Sequence, residues 1–102
     1  MSNPTVEIKG ATGTVFLTGR FTFDVQKAFK EAVNPLLDNP AIRTIAIDLS
    51  AASYMDSAAL GILLLVREKA TTHGKQMALR NANPTVLPIL KLVKFDRLFE
   101  TS

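Results

Sequence analysis

The stretch from residue 44 to residue 72 constrains the fold more than any other part of the chain. Thr44-Ile-Ala-Ile-Asp-Leu49 is a β-branched run without charge until Asp48, the pattern of a central strand covered on both faces. Residues 50–56 read as a crossing segment, and Ser57 to about Thr72 carries the strongest helical pattern in the chain. His73-Gly74 stops that helix, with Gly74 the expected left-handed residue. A covered strand followed closely by a long helix needs further elements packed against both.

The flanking sequence supplies them. Val6 and Ile8, then Thr14-Val-Phe-Leu-Thr18, predict two strands joined through a Gly10 to Gly13 turn, with Gly19 closing the second. Asp24 is placed to cap a helix whose apolar stripe is Ala28, Phe29, Ala32, Val33 and Leu36. Pro35 removes a backbone donor late in this pattern, so the helix is expected to finish near Asn34, before an Asn39-Pro40 turn. Gln76-Met-Ala-Leu-Arg80 predicts another strand. Asn83 caps and Pro84 opens a short helix, in which Pro88 is expected to cost a bond, and Arg97-Leu-Phe-Glu100 reads as a terminal edge strand. Helices alternating with strands over short connections give an α/β fold, a mixed sheet with helices laid against it.

The length of 102 residues suits one domain, 1–102, with no repeat or linker inside it. An apolar share of 47% and a charged share of 21% are ordinary for a globular chain. The absence of cysteine excludes disulfides, thiolate catalysis and thiolate metal sites, and fits a cytoplasmic location. The opening MSNPTVEIKG does not read as a signal peptide. The most apolar stretch, Ala58 to Val66, is nine residues long. A membrane span needs about twenty, so no direct membrane insertion is expected. The net charge of +3 is spread over scattered basic residues, and the aromatics are mostly Phe in apolar patterns, which argues against nucleic acid as a partner.

Catalysis finds little support. The single histidine, His73, sits at a helix end. No Gly-rich loop precedes a lysine, and there is no two-histidine metal motif. Asp48 and Asp56 are a conceivable carboxylate pair without a shaped pocket. The chain therefore reads as no enzyme, with no cofactor and no metal.

The long helix is more informative. At 100° per residue, Ala59, Ile62, Leu63, Val66 and Ala70 form one core stripe. On the side facing away from it, Leu60, Gly61 and Leu64 cluster around Ser57. One reading packs Leu60 and Leu64 against a loop or the adjacent helix; the other makes them an apolar partner-binding patch beside an exposed hydroxyl. Asp56 is the better N-cap, leaving Ser57 as the first helical residue. The pair is either a simple cap or a phosphorylation site. A phosphate there suits the positive helix end and opposes docking by desolvation and repulsion.

Ile45-Ala-Ile-Asp-Leu49, followed by Ser53-Tyr-Met-Asp-Ser-Ala-Ala-Leu-Gly61 and an apolar helix, resembles the STAS domain family, and within it the bacterial anti-sigma factor antagonists. The family's pattern falls on Met55, Asp56, Ser57, Leu60 and Gly61. Leu17-Thr-Gly19, Gly74 with Met77-Ala-Leu79, and Asn83-Pro84 through Phe95-Asp-Arg-Leu-Phe99 extend the likeness over nearly the whole chain. The resemblance implies a STAS-like mixed central sheet of about four to five strands with helices mainly on one face. It implies that Ser57 is phosphorylated by an anti-sigma factor that is also a serine kinase. A PP2C-like phosphatase, possibly fused to a response regulator, would remove the phosphate. The unphosphorylated form would bind the anti-sigma factor and free the sigma factor. Partner-binding residues carried over are Asp56, Ser57, Leu60, Gly61 and Leu64, with Arg20 and Thr22 beside them. Arg20 and Thr22 stand where the family often has acidic residues, which changes the charge a partner meets, and Ala59 replaces a usual Gly. The sequence stops at Ser102, so the family's final helix is expected to be missing. The competing expectation is a STAS assembly subunit that is never phosphorylated, such as an accessory component of a membrane lipid transport complex.

Overall fold

The computed structural model of the chain describes residues 4–95 and the backbone of residues 100–101. Five strands, β1 (Thr5–Lys9), β2 (Thr12–Phe21), β3 (Thr44–Met55), β4 (Gln76–Arg80) and β5 (Glu100–Thr101), form one sheet in the order β1-β2-β3-β4-β5. β1 and β2 are antiparallel and every other pairing is parallel, so the sheet is mixed. Among the described residues three helices, α1 (Gln26–Asp38), α2 (Ser57–Thr72) and α3 (Leu87–Leu92), complete an α/β fold.

Period-two alternation decides which face the helices cover. Val15 and Leu17 of β2, Ile45, Ile47 and Leu49 of β3, and Met77 and Leu79 of β4 join one apolar cluster with Phe29, Val33, Leu63, Val66 and Leu90 from the three helices. Phe21 and Phe29 meet in a tilted ring contact at 5.1 Å. The other face carries Phe16, Asp48 and Arg80, with the small residues Ala46 and Ala78 buried between larger neighbours. The run Ile45–Leu49 is buried without interruption, as a central strand should be.

Several boundaries differ from those the sequence predicts. β3 continues through residues 50–55, because Thr18 to Phe21 of β2 offer hydrogen bonds to that segment. Gly19 does not close β2; it lies inside the strand at φ +79, where the register with β3 shifts. The β1–β2 turn is only Gly10-Ala11, with Gly10 at φ +57. Gly13 belongs to β2, and a Cβ there would lie 2.6 Å from Leu36 Cδ2. A larger residue at this position would force the buried Leu36 side chain of α1 to shift.

Asp24 caps nothing. It lies within a 3-10 turn, Phe23–Val25, and α1 starts at Gln26 without a side-chain cap. α1 also runs past Pro35 to Asp38, since burial of Leu36 and Leu37 offsets the lost bond. A helix-interior proline costs about 3 kcal/mol, and each buried leucine contributes about 1.5–3 kcal/mol. Asn83 does cap a turn, its Oδ1 accepting from the Thr85 and Val86 amides at 2.8 and 3.2 Å. The regular helix begins later, at Leu87, so Pro88 falls in the first turn, where a missing N–H costs no bond. Of the expected strand at 97–100, Glu100 pairs with β4 and residues 97–99 lie outside the described residues. Among the described residues no helix is long and apolar enough to cross a membrane.

Candidate functional site

The parallel register that sets Phe21 opposite Met55 brings the end of β2 beside the start of α2. Asp56 then joins the two segments with three hydrogen bonds. Its Oδ1 accepts from the Ala59 amide at 2.8 Å, capping α2 as the sequence predicts. Its Oδ2 accepts from the Phe23 amide at 3.2 Å, and its own N–H donates to the Phe21 carbonyl at 3.4 Å. One carboxylate therefore fixes both the helix N-terminus and the chain that leaves β2.

Ser57 is the first residue of α2 and is exposed. Among the described residues its hydroxyl makes no hydrogen bond. Below it the helix buries Ala59, Ile62, Leu63, Val66 and Ala70, the stripe expected from the helical wheel. Gly61 is exposed and Leu64 is 38% exposed, in line with Ser57 along the outer side. Leu60 differs, being partly buried and packed against the core. Of the two leucines, Leu60 thus packs inward and Leu64 remains open to solvent.

Thr22 lies between Phe21 and Phe23, within the segment that Asp56 holds against α2. Arg20 lies elsewhere. It alternates with buried Phe21, as Tyr54 alternates with buried Met55, so both point away from the helix layer. There the Arg20 guanidinium stacks 4.8 Å above the Tyr54 ring.

Sequence reasoning missed Phe23, which is 63% exposed, and the exposed Tyr54 and Leu65. Phe23 belongs to neither the strand nor the helix periodicity, which was its one available signal. Its proximity to Ser57 rests on a hydrogen bond spanning 33 residues, which no local pattern announces. An open depression of about 590 Å³ adjoins it, lined by Phe23, Lys27 and Lys30 among others.

The second carboxylate of interest has a different environment. Asp48 Oδ1 accepts from the Ser50 hydroxyl at 2.6 Å and the Ser50 amide at 2.9 Å, and Oδ2 accepts from Asn81 Nδ2 at 2.7 Å. Burial pushes its pKa up as the largest single influence, but the three hydrogen bonds together outweigh it and the net direction is down. Asp48 and Asp56 are not a pair. Eight residues of extended chain separate them by roughly 26 Å, at ~3.3 Å per residue. Among the described residues no cluster of side chains has the make-up of a metal site. His73 serves the helix end, its Nδ1 lying 2.7 Å from the Lys69 carbonyl.

Comparisons with known proteins agree on the family. The family profile described as "Mlab, STAS domain" matches residues 5–100. A STAS-domain containing protein of Pseudomonas aeruginosa is 38% identical over 89 residues, which are 87% of this chain and 86% of that one. Among solved structures, a putative anti-sigma factor antagonist from Thermotoga maritima superposes with a TM-score of 0.84 at 21% identity, covering 96% of this chain and 84% of that chain. The unphosphorylated form of the anti-sigma factor antagonist SpoIIAA gives 0.80 at 18% identity, over 97% and 87% of the two chains. The phosphorylated form of the Bacillus SpoIIAA gives 0.74 at 17% identity, over 97% and 90%. At these identities the structural likenesses show a shared fold.

Proposed function

The chain belongs to the STAS domain family, and from that premise we propose that it is an anti-sigma factor antagonist whose docking surface is controlled by phosphate on Ser57. STAS domains are in general regulatory or binding modules rather than catalysts. The observation that carries the reading is Ser57 itself, an exposed hydroxyl with no hydrogen bond among the described residues, at the first position of α2 and in line with Gly61 and Leu64.

The unphosphorylated surface suits protein docking. Leu64 on α2 and the exposed Phe23, whose amide is held by Asp56, supply apolar area, and Gly61 allows a partner's backbone to come close. A phosphate on Ser57 meets the positive end of α2, so the fold tolerates it. The same phosphate places nearly two negative charges in an apolar contact beside the Asp56 carboxylate. Docking is thereby opposed while the domain stays folded. Arg20 on Tyr54 and Thr22 meet parts of the partner that reach around the sheet end.

The partners of this reading are an anti-sigma factor with serine kinase activity and a PP2C-like phosphatase. The test is incubation with such a kinase and ATP, followed by phosphopeptide mapping. Phosphate on Ser57, lost in Ser57→Ala, is the expected result; no transfer, or transfer to another residue, refutes it. A second reading, carried over from the sequence resemblance, is an assembly subunit of a lipid transport complex. The same surface would dock there, and Ser57→Asp would leave assembly unchanged.

A further inference from the structure

We infer that the free edge of β1 is a self-pairing surface, through which two copies of this chain join their sheets antiparallel about Ile8. The inference is independent of the phosphate reading, because β1 carries none of the residues assigned to the Ser57 surface.

Among the described residues β1 is the terminal strand of the sheet and pairs only with β2. All five of its residues are exposed, including Val6 at 42% and Ile8 at 53%. Lys9 and Thr12 flank the two-residue turn and face each other in the ladder. In such a hairpin the flanking residues exchange hydrogen bonds, and bonded pairs then alternate along the strand. Lys9, Glu7 and Thr5 thus direct their backbone groups at β2. Val6 and Ile8 direct theirs outward, where a second strand can take them.

Charge selects the register. Val6 pairs with Val15 of the core face, so Val6 and Ile8 lean toward the helix layer, while Glu7 and Lys9 lie on the opposite face. Within one chain Glu7 and Lys9 already form an ion pair at 3.3 Å. A two-fold axis at Glu7 would place Glu7 against its own copy, which is repulsive. An axis at Ile8 places Glu7 opposite the second copy's Lys9, twice, and turns two ion pairs into a four-charge ring of alternating sign. Ile8 then meets Ile8 as a hydrogen-bonded pair, using the outward N–H and C=O of each. Directly opposed residues of antiparallel strands point to the same face, so both helix layers lie on one side of the joined sheet.

The contact is short, because the chain turns at Gly10. It is therefore a small contact and a weak association. α2 packs over β3 and β4, away from this edge, so the dimer presents two Ser57 surfaces and binds a bivalent partner with gain in avidity.

Sedimentation equilibrium from micromolar to millimolar protein, with amide NMR spectra on the same samples, tests the inference. Wild type is expected to shift from monomer to dimer, with concentration-dependent shifts centred on Val6 and Ile8. Glu7→Lys and Lys9→Glu should each weaken association about tenfold, since each change enters the symmetric contact twice, and the double exchange should restore it. Ile8→Pro should remain folded, because the lost N–H faces outward, and should be monomeric. A wild type that stays monomeric to millimolar concentration overturns the inference and leaves the edge to a different occupant or to none. So does a double exchange that fails to restore association, or shifts that fall on α2 instead of β1.

Discussion

Replacing Asp56 tests how the site is built. Its carboxylate holds two amides 36 residues apart in sequence, Phe23 at 3.2 Å and Ala59 at 2.8 Å. Losing an N-cap acceptor costs typically about 1 kcal/mol. The second bond goes to a charged acceptor at a partly exposed position and contributes about 1 kcal/mol more. Asp56→Ala is therefore expected to cost about 2 kcal/mol, roughly a 10 °C fall in Tm for a domain of this size. Asp56→Asn separates the two contributions. Asparagine caps as well as aspartate, so its Oδ1 keeps the Ala59 bond, while its amide nitrogen cannot accept from Phe23. That variant should lose only about half as much, ~1 kcal/mol. Urea unfolding with a shared m-value measures both, and hydrogen exchange at the Phe23 amide should accelerate in both. An Asp56→Ala protein as stable as wild type, or an Asn variant as costly as Ala, would refute the two-ended role of this carboxylate.

Other perturbations address the rest of the structure. The ordinary carboxylate pKa is about 3.9, and Asp48 is held below it in the folded state, so its contribution is complete above about pH 4 and is lost as pH falls through the folded pKa. Acid unfolding should show the stability gap between wild type and Asp48→Asn narrowing below about pH 4. Gly13→Ala, whose Cβ would meet Leu36 Cδ2 at 2.6 Å, should destabilise by about 1–3 kcal/mol in the same urea assay. Phe23→Ala and Leu64→Arg alter exposed side chains and should change stability by no more than about 0.5 kcal/mol. Each should nonetheless weaken partner binding by about 1 kcal/mol or more in calorimetric titration. If Leu64→Arg unfolds the domain, Leu64 belongs to the core and not to the docking surface.

Where one strong physical influence acts alone, the sequence was readable. The stripe Ala59, Ile62, Leu63, Val66 and Ala70 is buried as its spacing requires, because α2 packs against β3 and β4. Gly74 ends near that helix at φ +71, and Asp56 caps it, each through local backbone chemistry. Elements decided by distant partners were harder to read. Ser50 to Tyr54 lack clean alternation because the register with β2 shifts there, so the pairing that makes them strand leaves no periodic mark. Pro35 invites a helix stop that the burial of Leu36 and Leu37 overrides. At the site, Ser57, Gly61 and Leu64 follow from the helical wheel. Phe23 does not, since its place beside Ser57 is set by a bond from a residue far along the chain.

The central claim is that phosphate on Ser57 switches the docking surface off without disturbing the fold. The direct measurement is calorimetric affinity of a co-purifying anti-sigma factor for the unphosphorylated protein, Ser57→Ala and the stoichiometrically phosphorylated protein. The account predicts equal binding by the first two and a loss of about 100-fold, near 2.7 kcal/mol, on phosphorylation. Equal affinity for all three forms would contradict it.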